Sequence, residues 1–219
     1  NEKRISIDFT KPFINAVSAC DEEIVKFFIE LKVDLNFREI FSHLVEIANT
    51  NCRVIFLLIN ETKSEIKSNL IRESTKAALS ANNVDLLKFL MTNKYEIKDL
   101  LIIAARNSNL EIIKTILEFN HSKEFINRIG MDGTALFEVI KSTGDINNHE
   151  SKDEIIKYLL EQEGIDPSIS VDSINTPLVE AVKVLNVKAV ELILDFYSDR
   201  IKDQGKQIHE SFLAIKKKQ

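Results

Sequence analysis

The chain has 219 residues, 44% hydrophobic and 29% charged, the balance of a soluble globular protein rather than a disordered one. Its net charge of −5 gives no reason to expect nucleic acid, whose binders present a basic face. With five glycines, three prolines and apolar residues recurring at helical spacing almost throughout, long sheets are unlikely, and an all-α protein is expected.

From the N-terminus, Phe13, Ala16 and Val17 form a short helical stripe, and Ile24, Val25, Phe27 and Phe28 form a second, closed by Val33-Asp34-Leu35-Asn36. Ile47 followed by Ile55 to Ile59 is a weaker copy. Ala78 precedes Leu86-Leu87-Lys88-Phe89-Leu90, and Ala104 precedes Ile112 to Leu117, both with the offset of eight residues found between Ala16 and Ile24. Thr134-Ala135-Leu136-Phe137-Glu138-Val139 opens a fifth copy, whose second stripe is Ile155 to Leu160. Thr176-Pro177-Leu178-Val179-Glu180-Ala181-Val182, followed by Lys188 to Leu194, is the sixth. The anchors at 16, 47, 78, 104, 139 and 181 lie 31, 31, 26, 35 and 42 residues apart.

The local chemistry accounts for the pattern. Thr176 and Thr134 can each accept a hydrogen bond from the first free amides of a helix, and Pro177 takes the first helical position, where no amide hydrogen is needed. The small anchors Ala16, Ala78, Ala104 and Ala181 let neighbouring helix pairs approach closely. A single pair cannot bury its own stripe, so several must stack.

A register spaced around 33 residues, with Thr176-Pro177-Leu178-Val179-Glu180-Ala181 near the Thr-Pro-Leu-His-x-Ala signature, resembles the ankyrin repeat. Met131-Asp132-Gly133-Thr134 is similar to that family's turn before a helix, and Gly164-Ile165-Asp166-Pro167 to its repeat ends. The resemblance runs over about residues 10 to 196 and implies an ankyrin-repeat solenoid of stacked helix-turn-helix units with short hairpin loops. The expected repeats are 10–36, 37–67, 68–98, 99–128, 129–170 and 171–198, with 199–219 as a C-terminal capping helix through Ile208, Phe212 and Ile215. Repeats two to four lack the Gly-x-Thr-Pro opening, so short or irregular hairpins are expected there. The polar segment 143–153 is expected to be an exposed inserted loop.

Chemistry-bearing residues are sparse. His43, His121, His149 and His209 fall in different copies, and neither they nor Cys20 and Cys52 have metal-ligand spacing. Nucleophile elbow, phosphate loop and dinucleotide fingerprint are all missing from the sequence, so no catalytic residue, cofactor or metal is expected. Lys216-Lys217-Lys218 suits a helix C-terminus without any polyanion partner. The longest apolar runs, Val54 to Ile59 and Leu100 to Ala105, are too short to cross a bilayer. No secretory signal is visible, and a cytoplasmic location is expected. The absence of an initiating methionine leaves open that the chain is a segment of a longer protein that it regulates.

The resemblance also implies where a partner protein would lie: across a concave face built from hairpin tips and first-helix ends. Transferred through the anchors, that face comprises Arg38, Glu39, Phe41, Asn49, Arg106, Asn107, Met131, Asp132, Lys141 and Lys183. Arg106, Lys141 and Lys183 predict a mildly basic groove in the C-terminal half, suited to an acidic or polar peptide. A monomeric adaptor binding another protein is the expected role.

Overall fold

The computed structural model describes the chain except for residues 1–7, 33–38, 41, 42, 44–52, 63, 94–98, 108, 144–148, 173 and 217–219; for 64, 65, 149, 150 and 203–216 it describes the backbone alone. Among the described residues all regular structure is helical. The chain divides into two compact units, residues 1–98 and 99–219.

The first unit contains α1 (Thr10–Ser18), α2 (Glu22–Glu30), α3 (Arg53–Glu61), α4 (Ser64–Ser80) and α5 (Val84–Thr92). Here α1 pairs with α2, α2 packs on α3, α3 on α4 and α4 on α5. Phe13 is fully buried, its ring edge-on to Phe28 at 5.8 Å. Phe56 of α3 stacks on Phe89 of α5, centroids 4.0 Å apart, which joins the second helices of successive copies. Helix α4 begins three residues after α3 ends, a short connection where the Gly-x-Thr-Pro opening is missing from the sequence.

The second unit contains α6 (Leu100–Arg106), α7 (Leu110–Phe119), α8 (Lys123–Ile126), α9 (Ala135–Ser142), α10 (His149–Leu160), α11 (Pro177–Lys183) and α12 (Val187–Lys216). Its first helices form one row, with α9 packed between α6 and α11, while α10 packs between α7 and α12 in a second row. The anchors Ala104, Val139 and Ala181 are completely buried between the rows. Thr134 and Thr176 cap α9 and α11 as expected, accepting from the amides of Phe137 at 3.2 Å and Val179 at 3.3 Å. Asn127 ties the end of one copy to the next: its amide donates to Gly164 O at 2.7 Å and accepts from Asp166 N at 2.8 Å.

One turn recurs at the join between first and second helices. The amides of Asp21, Asn83 and Asn186 bond back to the carbonyls of the anchors Ala16, Ala78 and Ala181, at 3.0, 2.8 and 2.9 Å. These are the closing bonds of a Schellman turn, whose left-handed residue is Cys20, Asn82 or Leu185. The residue after it then caps the second helix: Asp21, Asn83 and Asn186 accept from the amides of Ile24, Leu86 and Ala189, and Asn109 does the same for Ile112. A left-handed residue with a Cβ is disfavoured by about 1–2 kcal/mol, and glycine escapes this at some cost in unfolded-chain entropy. Leu185→Gly is therefore expected to stabilise the chain by about 1 kcal/mol, read as a higher urea midpoint in dilute protein.

One expectation is corrected. The segment 143–153 is not an exposed loop throughout: Thr143 is buried at the end of α9, and α10 begins at His149. Lys152 is also buried, its ammonium donating to the carbonyl of Ser142, where a cation suits the negative end of the α9 dipole. The expected C-terminal helix is continuous with the helix before it. The second helix of the last pair runs unbroken for 30 residues, because Ser198-Asp199-Arg200 offers no glycine or proline to end it.

Candidate functional site

Of the ten residues expected on the partner face, Arg38, Phe41 and Asn49 lie outside the described residues, and Glu39 is exposed in a short helical stretch. The remaining six all belong to the second unit, and several meet. The hairpin before α9 closes through Gly130 N to Gly133 O at 2.9 Å, which places Met131 and Asp132 at its tip. Gly133 is required there: its φ is +144°, and a Cβ would sit 2.7 Å from Phe137 Cδ1 and 3.0 Å from Val171 Cγ2.

Val171 belongs to the next tip, residues 171–175, so the two tips are neighbours. The Asp172 carboxylate shapes that second tip by accepting from the amides of Asn175 at 2.8 Å and Ile174 at 3.0 Å. These backbone bonds hold the Asp172 pKa below its ordinary value, led by that from Asn175. Each tip lifts one large apolar side chain into solvent: Met131 is 99% exposed and Ile174 74%. Ile174 was not anticipated from the sequence, although alignment of Thr134 with Thr176 places it opposite Asp132.

The cations stand two places after their anchors, at the C-terminal ends of α6, α9 and α11, and are answered by acids. Arg106 donates to Asp132 Oδ2 at 2.6 Å and to Glu138 Oε2 at 2.8 Å, joining the end of α6 to the tip and flank of the following copy. The hydrogen bond to Glu138 raises the Arg106 pKa above its ordinary value, with Asp132 adding to it. Glu138 is almost completely buried, and its second oxygen lies 4.0 Å from Lys141. Lys183 stands 3.8 Å from Glu180 and also donates to Asn175 of the second tip. The three cations thus make no bare positive groove. The surface has alternating charge, with Glu138 and Glu180 one place before their anchors, and two apolar tips above it. Asn107 lies exposed beside Arg106.

Among the described residues no cluster of histidine, cysteine and carboxylates could hold a metal ion, and no helix is long and apolar enough to cross a membrane. No curated protein and no solved structure matches the chain. Residues 74–170 match the family model for ankyrin repeats in three copies, a family of non-catalytic domains that generally serve protein–protein interaction. The matched segment covers the joins at Asn83 and Asn109 and the tip at Met131, so the turns, caps and buried anchors within it have one explanation: residues 74–170 of this chain are ankyrin repeats.

Proposed function

We propose that the chain is an adaptor that grips a segment of another protein along the hairpin tips and first-helix ends of its second unit. The observation that carries this reading is Met131, an apolar side chain 99% exposed on a tip that Arg106, Gly133 and the neighbouring hairpin hold in place. Exposed apolar groups on a pre-organised support suit binding, since little ordering remains to be done when a partner arrives. Asn107, Asp132, Lys141 and Lys183 offer polar partners around Met131 and Ile174. The preferred ligand is then a mixed-charge segment with an apolar anchor residue, a narrower class than the acidic or polar peptide expected from the cations alone.

The test is affinity capture from a lysate of the source organism, with Met131→Asp and Met131→Ala beside the wild type. Met131→Asp should lower retention of the partner at least about tenfold, and Met131→Ala should lower it less. Met131 makes no contact that the fold needs, so the helical circular dichroism should not change. Equal retention by wild type and Met131→Asp would remove the tips from the binding surface. Arg106 is a poor choice for this test, because its replacement would disturb the fold itself.

A further inference from the structure

The internal stacking register assigns a direction to each position of a helix pair. Phe56 stands nine places after its anchor and faces forward; Phe89 stands eleven after its own and faces back to meet it. The position one after the anchor also faces the following pair, and is buried at Val17, Ala105 and Ile140. The position eight after the anchor faces back, and is buried at Leu86 and Ala189.

Among the described residues some of these positions lie exposed. On α2 the backward residues Ile24 and Phe27 are exposed, Phe27 by 57%, with Leu31 beside them. On α11 and α12 the forward residue Val182 is 57% exposed, and Leu185 and Val187 are more open still. Val182, Leu185, Val187 and the forward-facing Val190 line a shallow apolar groove. Leu185, moreover, occupies a left-handed position where glycine would relieve strain, yet presents a leucine to solvent.

We propose that a second copy of this chain is the occupant: the α2 face of one molecule stacks on the α11–α12 face of another, continuing the repeat stack across the boundary. The two faces are the opposite halves of one interface already formed inside each unit, with Phe27 taking the place against Val190 that Phe89 takes against Phe56. Such a contact is heterologous, because each copy offers a different face to each neighbour. The monomer expected from the sequence is then the dilute state.

Sedimentation velocity of the full chain over a wide concentration range tests this. The wild type should rise in mass above the monomer as concentration increases. Phe27→Asp and Val187→Asp should each remain monomeric, their self-association weakened at least about tenfold. An equimolar mixture of the two should form a one-to-one pair and stop there, since each variant keeps the face the other lacks. A wild type that stays monomeric throughout overturns the proposal, and shows that any ligand of these faces is a different molecule. Persistent self-association of either single variant also overturns it, because that contact would use one face twice or neither. Leu31→Lys and Val182→Lys replace the first two variants if either loses helical signal. Partner capture through Met131 is read separately, so either reading can fail alone.

Discussion

Gly133→Ala should lower the stability of the second unit by about 3 kcal/mol, the sum of a strained backbone and an overfilled contact. The φ of +144° is one that side chains with a Cβ rarely adopt, and the added methyl would press on the Phe137 ring at 2.7 Å and on Val171 at 3.0 Å. Neither neighbour can withdraw cheaply, since Phe137 is buried in α9 and Val171 is bonded into the adjoining tip. Gly130→Ala makes the control: its Cβ would meet the flexible end of Ile102 at 2.9 Å, and φ there raises no objection. Urea titration followed by circular dichroism should show a large drop in midpoint for Gly133→Ala and a smaller one for Gly130→Ala. Equal midpoints would mean that the tip yields without resistance.

Arg106→Met should cost about 2 kcal/mol, and most of the loss should return when Glu138 is replaced as well. Among the described residues Arg106 is the only close donor to the Glu138 carboxylate, whose side chain is 4% exposed. Taking the guanidinium away leaves a buried acid with Lys141 at 4.0 Å and no hydrogen bond in its place. Removing one partner of a buried pair costs 3–5 kcal/mol, and the half-exposed position of Arg106 places this case below that range. In the Arg106→Met/Glu138→Gln double mutant the stranded charge is gone, so the two substitutions should be strongly non-additive. Additive losses would show that the pair is not coupled. Arg106→Glu, attractive as a charge reversal at a binding face, would instead set a third acid beside Asp132 and Glu138.

The parts legible in the sequence are those fixed within one or two helical turns. Thr134 and Thr176 cap because a hydroxyl three residues before an amide reaches it whatever else the chain does, and the anchors Ala16, Ala78, Ala104, Val139 and Ala181 are buried because their spacing repeats. The left-handed joint was hidden, since glycine is its usual mark and Cys20, Asn82 and Leu185 stand there instead. The charge pairing was hidden for another reason. Arg106 and Glu138 are 32 residues apart, so their meeting depends on how one copy is laid on the next. Lys152 was misjudged because a polar stretch rich in turn formers reads as solvent-exposed, although one long cation can reach back to a helix end. For the candidate surface, transfer through the anchors named the first-helix ends and Asp132, but not Glu138 and Glu180, which stand beside their cations.

The recurring joint would leave the proposed recognition surface open to change. Its closure depends on main-chain carbonyls and amides, together with a single capping carboxylate or amide. The side chains at the second and third places after an anchor, such as Lys183 and Val184, therefore contribute almost nothing to closing it. Selection can exchange the side chains that meet a partner while the scaffold beneath keeps its shape, except where a position such as Arg106 has also been drawn into holding the stack. New specificities should arise first at the second and third places after an anchor, and Arg106 should be the slowest of these to drift.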